Sequence, residues 1–167
     1  RSSHLPPVKV IAHRGAWKLP GLIENTLPAL LAARKAGCWG VEFDVRALKD
    51  GTLVVHHDES LVRTFGRELR LAQMSLSHLR HEAPLIPTLT EVIQAIGGQA
   101  HLMIELKGNS SDWSPELLAK LRTELAGLSC ARDFHLMSLD TMLLKNVTAH
   151  IPEYRTGMIG IATTEIQ

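Results

Sequence analysis

The 167-residue chain has only two cysteines, Cys38 and Cys130, which stand far apart and form no CxxC pair. This excludes a disulfide framework and a cysteine zinc cluster, and favours a reducing, cytoplasmic setting. Charge of one sign is also lacking: 18 Lys plus Arg oppose 17 Asp plus Glu, a net +1. No nucleic-acid-binding surface is expected from that balance. No apolar run reaches the ~20 residues of a transmembrane helix. The N-terminal RSSHLPP has neither an initiating Met nor the charged-then-apolar layout of a signal peptide, as if upstream residues had been removed. Repeats and low-complexity stretches are missing too. With 45% apolar residues, the chain suits one compact domain over 1–167.

What is present is an alternation. Six short apolar segments, VKVIAH, GVEFDVR, TLVVHHD, HLMIELK, FHLMSLD and RTGMIGI, read as strands with helical patterns between them, which implies parallel pairing. ENTLPALLAARKAG opens on Asn25 or Thr26 as N-cap, carries Pro28 in its first turn and stops at Gly37. Its Leu27, Leu30, Leu31 and Arg34 recur at helical spacing. PTLTEVIQAIGG and WSPELLAKLRTELAG predict two more helices, the latter capped by Ser114 ahead of Pro115. A fourth runs from Asp140 towards His150. Between Phe65 and Pro87 a short helix near Ser75 to His81 is the most the prolines permit. This α/β order suits an open doubly wound sheet or most of a (β/α)₈ barrel. HRGAWKLPG is neither a GxGxxG fingerprint nor a P-loop.

Barrel strands place their functional groups at C-terminal ends. His13 ends the first segment, Glu42 and Asp44 share a face of the second, His57 ends the third, and Glu105 and Lys107 lie on the fourth. Residues two apart on a strand are roughly 6 to 7 Å apart, so Glu42 and Asp44 reach one point. Glu42 and Asp44 alone would fit the wet face of an edge strand, but Glu105 repeats the pattern at matched depth. Three buried carboxylates require a compensating charge. An all-oxygen set favours Mg²⁺ or Ca²⁺ over zinc. His13 and His57 flank this centre as acid and base candidates. Arg14 and Lys107 are candidate phosphate ligands. His56 has the opposite parity from His57 and is read as structural, as are His4, His78, His81, His101, His135 and His150. Trp17, on the loop after His13, is the best candidate for lining an alcohol pocket; Trp39 and Trp113 read as packing.

IAHRG at 11–15, ENTLPAL at 24–30, GVEFDVRALKDGTLVVHHD at 40–58, IPTLTEVI at 86–93 and IELK at 104–107 together resemble the glycerophosphodiester phosphodiesterase family. MSLD at 137–140 followed by IPEYRTGMI is a weaker echo. The resemblance implies a TIM barrel that hydrolyses glycerophosphodiesters such as glycerophosphocholine or glycerophosphoethanolamine to glycerol 3-phosphate and an alcohol. It implies His13 and His57 as general acid and base, Glu42, Asp44 and Glu105 as ligands of one divalent cation, and Arg14 and Lys107 at the phosphate. Either the substrate's own glycerol hydroxyl attacks phosphorus, or water does.

Ile23 and Leu48 depart from the family's usual Pro and Thr, at positions that supply no chemistry. The stretch between Asp58 and Pro87 leaves little room for the small subdomain many relatives insert. Six of eight strands are counted, so the barrel is expected to be incomplete at the C-terminus, with open edges that favour association into a homo-oligomer. Two other functions fit the same residues: a lysophospholipase D or sphingomyelinase D type of lipid phosphodiesterase, and an inactive fragment that binds phosphate or another subunit.

Overall fold

The computed structural model describes residues 6–160. Strand β1 (Ile11–His13) is followed by helix α1 (Leu27–Lys35), then β2 (Gly40–Ala47) and β3 (Leu53–Val55). A small excursion follows: β4 (Ser60–Leu61), α2 (Val62–Phe65), β5 (Arg67–Arg70) and α3 (Leu76–Glu82). The alternation then resumes with α4 (Leu89–Ile96), β6 (His101–Leu106), α5 (Pro115–Leu125), β7 (Phe134–Ser138), α6 (Thr141–His150) and β8 (Met158–Gly160). His4 lies outside the described residues.

All six expected strands exist, and five of them form a parallel arc in the order β1-β2-β6-β7-β8. The fold is therefore α/β, an open arc of a (β/α)₈-type barrel. The third strand corrects the sequence reading: β3 runs antiparallel to the end of β2, with Val45 opposite Val55 and Ala47 opposite Leu53. The reason is local. Only Leu48 to Thr52 joins the two, closed by Leu48 N–H to the Thr52 carbonyl at 2.9 Å and by Gly51 at φ +82°. Five residues make a hairpin and cannot hold a crossover helix. The parallel neighbours of β2 are instead β1 and β6.

Val41, Phe43 and Val45 of β2 are fully buried beneath the helices, each stabilising the fold by about 1.5–3 kcal/mol on burial. Their partners include Leu30 and Ala33 of α1, Val92 and Ile96 of α4, and Leu118, Leu121 and Leu125 of α5. In α1 the inward face is Ala29, Leu30 and Ala33, whereas Leu31 is exposed. Thr88, Ser114 and Asp140 accept cap bonds from the backbones of Glu91, Leu117 and Leu143. Thr26 occupies the α1 cap position without a side-chain cap bond, and Asn25 is used elsewhere.

The second correction concerns residues 59–86. A miniature subdomain does form there, around its own apolar cluster of Leu48, Val54, Leu61, Leu71, Met74 and Leu79, closed by Ala83 and Ile86. Its hairpin is too short to show a strand period in sequence. Among the described residues, no helix is long and apolar enough to cross a membrane.

Candidate active site

Parallel register assembles the acidic centre. His13 of β1 pairs with Glu42 of β2, and Asp44 of β2 pairs with Glu105 of β6. Oxygen atoms of Glu42, Asp44 and Glu105 all lie within 4.8 Å of one another, and all three residues are buried. Burial, reinforced by the charges of Asp44 and Glu105, pushes the Glu42 carboxyl up to about 8 against the pull of a backbone bond from Arg14. Glu105 is likewise raised, first by burial and then by Asp44, with Lys107 opposing. Glu42 Oε1 and Asp44 Oδ1 are buried without any hydrogen-bond partner. Orphaned carboxylate oxygens converging on one point, with no nitrogen or sulfur donor among them, fit a hard divalent cation.

The loop after β1 is shaped around these carboxylates. Arg14 and Asn25 adopt left-handed backbone at φ +58° and +56°, unusual for residues with a side chain and concentrated at functional sites. Arg14 N–H donates to Glu42 Oε2 at 3.1 Å. Asn25 Nδ2 donates to Asp44 Oδ2 at 2.9 Å. Between them, Gly15 sits at φ +79°, and a Cβ there would meet the Ala29 carbonyl carbon at 2.7 Å. Glycine at this place in HRG lets the loop press against the start of α1.

His13 stands at the rim with its Nε2 3.6 Å from Glu42 Oε2. Its pKa is lowered, first by partial burial and then by Arg14. His57, on the turn after β3, has Nδ1 2.7 Å from Asp58 Oδ1. Arg63 of α2 grips the same carboxylate at 2.9 and 3.0 Å, holding Asp58 well below the usual carboxylate range with help from His57. An ionised Asp58 accepts only, so Nδ1 carries the proton and Nε2 is left as the acceptor. Arg63 also donates to Glu24 Oε2 at 3.0 Å, and Arg14 Nη1 reaches that oxygen at 2.9 Å. A buried Glu24 thus ties the loop of His13 to the loop of His57. Burial works against its ionisation, but Arg63 and Arg14 hold its pKa below normal.

Lys107 Nζ lies 3.3 Å from Glu105 Oε1. The Arg14 guanidinium is engaged by Glu24, with Nε buried and unpartnered 3.6 Å from Asp44. Trp17 lines a cavity of about 370 Å³ together with His13, Ala16 and Leu19. His56 is buried, with Nε2 3.2 Å from the Ser60 carbonyl. His101 stacks on Trp39 and contacts His135 Nδ1 at 2.7 Å, at the opposite end of the strands. Sequence reasoning missed Asp58, Arg63 and Arg46, whose Nε donates to the His57 carbonyl at 2.7 Å. Asp58 had a signal, since it follows His57 directly; Arg63 meets Glu24 across 39 positions and had none.

Residues 13–166 match the model of the glycerophosphoryl diester phosphodiesterase family. A glycerophosphodiester phosphodiesterase of Caldanaerobacter subterraneus is 31% identical over 162 residues, covering 90% of this chain and 65% of that protein. The crystal structure of the Thermotoga maritima glycerophosphodiester phosphodiesterase is 30% identical with a TM-score of 0.78, covering 97% of this chain and 65% of the other. An Oleispira antarctica phosphodiesterase, solved in complex with the product sn-glycerol-3-phosphate, is 28% identical with a TM-score of 0.74, covering 92% and 64%. The chain thus spans just under two thirds of the length of these relatives. On the match across nearly its whole length, the chain belongs to the glycerophosphoryl diester phosphodiesterase family.

Proposed function

We propose that this chain carries the site of a metal-dependent phosphodiesterase that hydrolyses glycerophosphodiesters, such as glycerophosphocholine or glycerophosphoethanolamine, to glycerol 3-phosphate and an alcohol. The observation that carries the reading is the convergence of Glu42, Asp44 and Glu105 oxygens within 4.8 Å, at the end of the arc where His13 and His57 lie. The bound product in the Oleispira relative supports the same chemistry.

Glu42, Asp44 and Glu105 would hold one Mg²⁺ or Ca²⁺. That cation, when bound, neutralises the carboxylates and the charge developing on the phosphoryl group. Lys107 and Arg14 hold phosphate oxygens and stabilise the same charge. One imidazole takes the proton of the attacking oxygen while the other gives a proton to the leaving oxygen. The Asp58 bond keeps His57 in one tautomer and one orientation for its part. The two free cysteines support a reducing, cytoplasmic setting.

The test is to incubate the chain with glycerophosphocholine, with and without EDTA, and couple released glycerol 3-phosphate to its dehydrogenase. Metal-dependent turnover lost in His13→Ala supports the reading. Metal binding without turnover points to an inactive binding role. One observation favours a lysophospholipase D type of activity: Trp17 and the exposed Leu19 form an apolar rim beside His13. Turnover of lysolipid but not of glycerophosphocholine selects that alternative.

A further inference from the structure

Beyond the carboxylates, the inward face of β2 continues to Arg46, two residues past Asp44. Arg46 and Lys107 open onto a second cavity, of about 280 Å³, between the small subdomain and the segment that follows β6. Its charged lining comprises Arg46, Arg70 and Lys107 with Glu59 and Asp112. Most of these groups have partners within the protein. Arg70 pairs with Glu59 at 2.6 Å, Asp112 accepts from the Asn109 backbone at 2.9 Å, and Lys107 lies against Glu105.

Arg46 differs. Its Nε donates to the His57 carbonyl at 2.7 Å, and it makes no ion pair among the described residues. Partly buried, it is the cation of this lining without an ion-pair partner among the described residues. A partly buried guanidinium without an ion-pair partner is set up to receive a planar anion in bidentate fashion. The only aromatic group lining this cavity among the described residues, Trp113, is buried and donates Nε1 to the Lys107 carbonyl. No aromatic cage for a quaternary ammonium is offered there.

We infer that this cavity is the subsite for the leaving alcohol, and that Arg46 selects alcohols bearing a carboxylate, such as serine. The inference rests on the phosphodiesterase reading, because Lys107 is shared by the phosphate position and the cavity. The glycerol end of the substrate is neutral and has no use for an unmatched cation, so the other end occupies this cavity.

Glycerophosphoserine and glycerophosphoethanolamine differ only by the carboxylate. The experiment measures kcat/KM for both with the metal-loaded chain and its Arg46→Gln and Arg46→Lys variants, after circular dichroism confirms that each is folded. The wild type is expected to prefer glycerophosphoserine, and Arg46→Gln to lower that preference at least about tenfold, the usual effect of losing a charged hydrogen-bond partner. Arg46→Lys restores part of it. An equal fall for both substrates would assign Arg46 only to the support of His57 and overturn the inference, as would an unchanged preference. If the wild type turns over neither substrate, the phosphodiesterase reading fails separately. Calorimetric binding of glycerophosphoserine then decides the subsite: binding weakened at least about tenfold by Arg46→Gln sustains it, and equal binding overturns it.

Discussion

Replacing Glu42 by glutamine separates the cost of the acidic centre from its use. In the metal-free protein the Glu42 carboxyl is raised from 4.5 to about 8 by burial and by Asp44. The folded state therefore holds a proton that the unfolded state releases, and the stability linked to it is present below about 4.5 and lost as pH rises through about 8. Between about pH 5 and pH 8 the loss is on the order of 3 kcal/mol, or roughly 6–12 °C in Tm for a domain of this size. Glu105, raised for the same reasons, adds in the same direction. Glutamine keeps an oxygen for the Arg14 N–H and has no proton to lose. In EDTA, Glu42→Gln should melt higher than the wild type near pH 8 and about level with it near pH 5. Mg²⁺ or Ca²⁺ at a thousand times its Kd reverses the order, because it adds about 4.1 kcal/mol to the wild type. Scanning calorimetry at both pH values, with and without metal, measures all four differences. A metal-free wild type whose Tm is flat or rising from about pH 5 to 8, with a metal shift retained by the variant, would refute the reasoning.

The remaining predictions address the flanks. His13→Ala and His57→Ala should each lower kcat by about 10²–10⁴ while leaving Tm close to the wild-type value, measured by the coupled assay and by calorimetry. Asp58→Asn should lower kcat roughly 10- to 100-fold by releasing the His57 ring, with no loss of metal affinity by titration. Arg63→Ala removes the main cause of the depressed Asp58 pKa, so the stabilising charge of Asp58 is lost at higher pH than before and the acid limb of the pH–activity profile moves upward. Gly15→Ala, at φ +79° and against the Ala29 backbone, should cost about 1–3 kcal/mol in urea unfolding and displace the Arg14 N–H from Glu42.

What was legible in the sequence was what local periodicity encodes. Alternation in GVEFDVR put Glu42 and Asp44 on one face, and the same parity in HLMIELK put Glu105 and Lys107 on another; parallel register then had only to bring the two strands side by side. The direction of β3 was also encoded, in the shortness of LKDGT, but an α/β alternation imposed on all six segments hid it. Residues 59–86 were illegible for a different reason. A two-residue strand and a four-residue helix carry no period, and their order comes from tertiary contact with Val54 and Leu48.

That small subdomain explains how one histidine is held without a barrel strand of its own. His13 inherits its place from the β1–β2 ladder. His57 lies beyond the end of a hairpin, where a turn would ordinarily be mobile. Three contacts immobilise it: Arg46 of β2 on its carbonyl, the adjacent Asp58 on its Nδ1, and Arg63 of α2 on Asp58. Arg63 is aimed by a helix that ends at Gly66 in left-handed conformation, and Leu61, which precedes that helix, is fully buried in the second apolar cluster. The same arginine reaches Glu24, which holds Arg14 beside His13. The two imidazoles are therefore positioned against each other by one ion-pair chain, and in the proposed phosphodiesterase the apolar cluster beneath α2 would act through the position of Arg63 rather than through any contact with substrate.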